Sequence, residues 1–200
     1  VKKSILAACL LAGQLFWACS SGGDNPPVQT PEELLAAGWK AYSSRNYQTA
    51  LSDFNSAAQG NSALADAFNG AGWANAKLNS LVASVGDFNV GLGKSPGNVQ
   101  MKAGLSFVFN AQKLYDSSIV RAGEALASDG NWVFTRDTSI NQFDLHLLLA
   151  EDYFARSTPD YPASLAQVQG YLDPTFNADV STIIGQTALA KKIEDLGLIY

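Results

Sequence analysis

A chain of 200 residues with 47% hydrophobic content is long enough to bury a core and short enough that one structural domain is expected. Its 13 basic and 18 acidic residues give a formal net charge of −5, which disfavours nucleic acid and anionic lipid surfaces as partners, because both need basic patches. With two cysteines and one histidine, the chain has little material for thiol or imidazole chemistry.

Lys2 and Lys3 precede an apolar run from Ile5 to Ala18 broken by Gly13 and Gln14, the layout of an export signal. The run is too short and interrupted for a membrane-spanning helix, and no other stretch approaches the ~20 apolar residues a span needs. Of the two cysteines, Cys9 has the better local match to a lipid-acceptor site, Leu6-Ala7-Ala8, whereas Trp17 before Ala18 is bulky for one. Cleavage at Cys9 would leave too short an apolar segment, so Cys19 is the expected acylation point. The polar, helix-breaking stretch from Ser20 to Pro27 suits a flexible tether. The expected division is a signal over 1–18, a tether over 19–30 and a folded domain over 31–200. Removing Lys2 and Lys3 makes the exported part more acidic still, so attachment to the membrane would rest on the acyl chains.

Slid against itself, the chain repeats with a period of 34. Ala37-Gly38, Tyr42, Tyr47, Ala50-Leu51, Phe54 and Ala57 become Ala71-Gly72, Ala76, Leu81, Ser84-Val85, Phe88 and Gly91. A second step gives Leu105-Ser106, Asn110, Tyr115, Ser118-Ile119, Ala122 and Ala125. Small residues at Gly38, Gly72 and Ser106, and at Ala50, Ser84 and Ser118, let two helices approach closely, while Phe54 and Phe88 fill the seam to the next hairpin. Pro96 stops the second unit's second helix. A fourth unit carries Leu149-Ala150, Tyr153-Phe154, Tyr161 and Ser164-Leu165 after a longer step, with a longer turn from Ala155 to Asp160. Asp179 is expected to cap a final helix through Leu196, with Val180, Ile183, Ile184, Leu189 and Ile193 as its apolar stripe.

These residues resemble the tetratricopeptide-repeat family, over residues 31 to 173. Leu81 in place of an aromatic and the small Ala122 are departures from that family's pattern. The resemblance implies an all-α fold, a right-handed α-solenoid of about four hairpins over 31–64, 65–98, 99–127 and 143–173. An insertion at 128–142 and a C-terminal capping helix at 179–196 complete the expectation.

Catalytic signals are weak. His146 lies in an apolar run with no ligand or triad partners around it, so it reads as a packing residue, and no metal or cofactor is expected. Gly70-Ala71-Gly72 and Gly91-Leu92-Gly93 fall within repeat helices and read as spacers rather than phosphate cradles. Asp53 and Asp87 share a register, best explained as a solvated outer face. The informative row is aromatic: Trp39, Trp73 and Phe107 recur at the repeat period, at a position that in the family looks into the concave groove. Tyr42 and Asn69 would share that face, and Asp66, Lys77, Gln100 and Asn110 would supply polar contacts.

Exposed aromatics in a row need covering, either by a partner or by the apolar run Asn131-Trp132-Val133-Phe134 of the insertion. The leading expectation is a non-enzymatic interaction or scaffolding module of the bacterial envelope. It would be tethered through Cys19 to the outer membrane, facing the periplasm, and would bind a protein or peptide segment. The alternative is a lipoprotein that stacks a small ligand, such as a sugar, in an aromatic pocket enclosed by the insertion.

Overall fold

The computed structural model describes residues 29–198, and the expected signal over 1–18, Cys19 and most of the tether lie outside them. The expected hairpins are present. α1 (Pro31–Ser43) pairs with α2 (Tyr47–Gly60), α3 (Ala65–Lys77) with α4 (Leu81–Lys94), and α5 (Val99–Ala111) with α6 (Tyr115–Ser128). The fourth hairpin joins α7 (Gln142–Ala155) to the short α8 (Tyr161–Gln167), which continues as a π-helical turn over Val168–Leu172. α9 (Ile183–Gly197) closes the array, and the first helices of successive hairpins lie side by side, α1 on α3, α3 on α5 and α5 on α7. This is a tetratricopeptide-like α-solenoid with a capping helix.

Local chemistry sets the helix ends. Thr30 and Glu33 form a reciprocal capping box at α1, and Asn141 and Asp144 do the same at α7, satisfying amides that have no partner inside the helix. In the first three hairpins the turn between helices passes through a left-handed residue, Arg45 (φ 60°), Asn79 (φ 57°) and Lys113 (φ 60°), spaced at the repeat period. The chain reverses at one fixed register each time.

Glycine and phenylalanine set the packing distance. A Cβ on Gly38 would meet the Phe54 ring at 2.6 Å, and one on Gly70 of the following hairpin would collide with the same ring. Phe88 sits in the equivalent slot between Gly72 and Gly104. The third unit has Ala122 in place of the Phe, and the fourth has Leu148 where Gly70 and Gly104 would be by register; both are buried in the same core. Bulk has moved from one side of that seam to the other. The small residues of the second helices are also donors: Ser84 Oγ bonds the Gly72 carbonyl at 2.7 Å, Ser118 that of Ser106 at 2.9 Å, and Ser164 that of Ala150 at 2.7 Å.

The C-terminal expectation needs correcting. Thr182, not Asp179, caps α9, its side chain accepting from the Gly185 amide at 3.1 Å. Asp179 instead accepts from the backbone and side chain of Ser181. Ile183 and Ile184, placed in the buried stripe by periodicity, are 80% and 84% exposed, whereas Leu189, Ile193 and Leu196 pack with Leu147, Ala150 and Val168. Within α9, Ile183 and Ile184 stand about 120° and 140° around the helix from Leu189, so they face away from the seam that Leu189, Ile193 and Leu196 fill.

Candidate functional site

The first helices present Trp39 and Tyr42 from α1, Asp66, Asn69, Trp73 and Lys77 from α3, and Gln100, Phe107 and Asn110 from α5. The segment between α6 and α7 crosses this inner face as a strap. Phe134 is fully buried, stacked on Trp73 with centroids 4.1 Å apart and edge-on to Trp39 at 6.4 Å and Tyr42 at 5.9 Å. Trp132 is buried beside them in the same core. Of the two ways to cover the aromatic row, the structure uses the insertion: Trp39, Tyr42, Asn69 and Trp73 are at most 5% exposed and are not an open groove surface.

Each polar residue has its own fate. Asp66 accepts from Trp39 Nε1 at 2.9 Å and from Asn69 Nδ2 at 3.0 Å. It also lies 3.7 Å from the guanidinium of Arg136, which stands over the Trp39 ring at 4.6 Å. Gln100 Nε2 donates to the Val133 carbonyl of the strap at 3.4 Å. Asn110 serves the fourth hairpin instead, donating to Asp152 Oδ1 at 2.8 Å. Burial pushes the Tyr42 hydroxyl well above its ordinary range, with the charges of Tyr47 and Asp137 adding to the effect, so Tyr42 is a neutral group there.

Lys77 remains exposed and Phe107 partly so. They share an apolar depression of about 260 Å³ with Trp73, Ala76, Leu81, Val108 and Ile140, and Asp144 is the other charged residue lining it. Phe107 leans on Trp73 at 6.2 Å. This is the part of the row that the strap leaves open.

Sequence reasoning missed two acidic sites. Asp87 does not lie on a solvated face: it is half-buried and accepts from Asn75 Nδ2 at 2.8 Å, and burial raises its pKa. Asp152 is fully buried in α7, and burial pushes its pKa up to about 6 despite the hydrogen bond from Asn110. The register that Asp87 shares with Asp53 pointed to solvent instead, and Asp152 had no signal in spacing, although an acid next to the apolar run Leu145–Ala150 marks a polar group entering a core.

His146 is a packing residue, its Nδ1 paired with Gln167 at 2.8 Å and its ring stacked on Tyr171 at 3.5 Å. Gly70 does more than space a hairpin, since it also admits Phe54 from the preceding unit. Among the described residues no group of three or more His, Cys, Asp or Glu could hold a metal ion, and no helix is long and apolar enough to cross a membrane.

The fold matches solved helical-repeat structures at low identity. MamA from Desulfovibrio magneticus RS-1 is similar with a TM-score of 0.59 and 14% identity, over 70% of this chain and 72% of that one. The TPR2B domain of yeast Sti1, solved in complex with pHsp70, gives 0.55 and 19%, over 63% of this chain and 98% of that one. The first TPR domain of human RPAP3 gives 0.52 and 12%, over 64% and 98%. No family model matches the chain, and no curated relative does. The likeness defines the fold class, a tetratricopeptide-like helical solenoid.

Proposed function

We propose that this chain is a non-enzymatic interaction module of the bacterial cell envelope, held to the outer membrane by lipid on Cys19, that docks a segment of a partner protein on its inner face. The open depression at Trp73, Phe107 and Ile140 carries the proposal. At about 260 Å³ it falls below the ~300–1,000 Å³ of pockets that enclose whole small molecules, and its size suits one apolar side chain of a longer segment. Lys77 and Asp144 offer charges of both signs to fix the segment's direction. The small-ligand alternative needs a cavity beneath Asn131 to Phe134, and the Phe134 ring fills that space.

That yeast Sti1 TPR2B was solved with a bound partner supports a docking role for this fold, by analogy. The lipid anchor is supported by the signal layout before Cys19 and the tether after it.

A photo-crosslinking side chain placed at Lys77, in cells, tests the docking site. The expected result is a discrete adduct that disappears when Phe107→Ala is added, in a variant whose helical circular dichroism stays native. Persistence of the adduct in the variant would move the docking surface elsewhere. Mass spectrometry of the mature N-terminus tests the anchor, and an unmodified Cys19 would remove it.

A further inference from the structure

The strap makes the contacts that a bound peptide would make. Within four consecutive residues it supplies a carbonyl at Val133 for Gln100, an aromatic ring at Phe134 for Trp73, and a guanidinium at Arg136 for Trp39 and Asp66. Arg136 remains exposed while it makes both contacts. An aromatic residue followed two positions later by a cation is thus a pattern the inner face is already built to hold.

The fit is incomplete, which is the second observation. Tyr42 Oη, Asn69 Oδ1, Trp73 Nε1 and Gln100 Oε1 are buried with no hydrogen-bond partner among the described residues. Buried polar atoms in native interiors are nearly always paired, with protein groups or ordered water, so four on three adjacent helices that the strap does not pair mark places where a peptide group or a water is wanted. The strap's backbone does not reach them because it bonds to itself. The Phe134 amide donates to the Ile140 carbonyl at 2.8 Å, and the Ile140 amide to that of Asp137 at 3.0 Å. An extended segment of another chain would keep its amides and carbonyls free for these side chains.

We propose that Val133–Ile140 is a built-in occupant of the inner face, displaced by an extended partner segment that carries an aromatic residue followed two positions later by Arg or Lys. The incoming ring takes the place of Phe134 on Trp73, and the cation takes the place of Arg136 over Trp39 and beside Asp66. The chain's formal charge of −5 favours a basic segment of this kind. Because the strap is tethered at both ends, its effective concentration is high, and the native chain binds the partner more weakly than a chain whose strap cannot compete. The proposal rests on the inner face being the binding face, but it does not require the depression at Phe107.

The test uses a fluorescent peptide of the strap's own sequence, Asn131 to Asn141, with the native chain and with a Phe134→Ser/Arg136→Ser variant. Expected are binding to the variant at least about tenfold tighter than to the native chain, and loss of that binding when the peptide carries Phe134→Ala. A variant with native helical circular dichroism that fails to bind the peptide overturns the proposal. If the variant does not fold, hydrogen exchange of the native chain decides. The Phe134 and Ile140 amides should exchange at least about tenfold faster than amides in the middle of α3 and α5. Strap amides exchanging as slowly as those helices overturn it. Neither measurement uses the Lys77 crosslink, so failure here and failure of the docking site are separable.

Discussion

Phe134 lies nearly flat on Trp73, with ring centroids 4.1 Å apart and planes inclined at 21°. The ring that the family resemblance places on a partner-binding face is therefore a core residue in this chain. Trp73→Ala should lower stability by roughly 3–5 kcal/mol, as for other large-to-small core changes, and Trp132→Ala by a similar amount. Lys77→Ala, at an exposed position on the same helix as Trp73, should stay within about 0.5 kcal/mol. Denaturant unfolding of the three variants checks this, and equal midpoints for all three would contradict the burial.

Glycines in this chain fall into two classes that substitution separates. Gly70→Ala and Gly104→Ala drive a methyl group into Phe54 and Phe88 and should cost about 1–3 kcal/mol through overpacking. Gly86 and Gly123 lie inside helices with nothing within 4 Å of an added Cβ, so changing either to Ala should stabilise by about 0.5–1 kcal/mol. Thermal melts that moved in the same direction for all four would refute the slot geometry.

The period of 34 made hairpins legible because Gly38, Gly72 and Ser106 do the same work at the same register. It could not show contacts between hairpins. Phe54 meets Gly70 across a seam whose two sides belong to different repeats, so no self-comparison aligns them. The strap was legible as an apolar run needing burial, but its target was not, because Phe134 and Trp73 are brought together only by the path of the chain across the inner face. Asp87 was misread as solvated since its partner Asn75 has Ala41 and Phe109 at the repeat-equivalent positions. Ile183 and Ile184 were misplaced because they precede Leu189 by six and five residues, spacings that set them on the far side of a helix from it.

Ser84, Ser118 and Ser164 bond carbonyls of the preceding helix where the two helices come closest. Each Ser→Ala change should cost about 1 kcal/mol, the net value of one neutral hydrogen bond. Ala50, which holds that register in the first hairpin, shows that the methyl group fits. Ser84→Val should cost more, because the added bulk would push α3 from α4. Urea titration of the pair checks the order.

Asp152 ties stability to pH. Its pKa is raised by burial to about 6, so the folded chain holds this proton more tightly than the unfolded chain does. Its contribution is fully present below the ordinary carboxylate range near 4 and is lost as pH rises through about 6. Asp173 has the opposite sign: the Lys192 hydrogen bond at 2.6 Å is the main cause holding its pKa down, so its contribution is lost as pH falls. Asp152→Asn keeps an acceptor for Asn110 and should match native stability at pH 4, while exceeding it at pH 7 by on the order of 2 kcal/mol. Parallel stability curves for native and variant between pH 4 and 7 would show that Asp152 does not titrate there.

The strap has a mechanical consequence for the array. Helical-repeat chains normally join only neighbours, so their ends fray and the middle outlasts them. Here Phe134 touches Trp39 of the first hairpin and Trp73 of the second, and Gln100 of the third holds Val133. Three hairpins are closed into a loop by one crossing segment that leads directly into the fourth. The first hairpin therefore cannot unravel without breaking contacts that also belong to the rest, and the array should melt in one cooperative step. Removing the strap from the inner face would cut the loop open and restore the springiness of a linear solenoid.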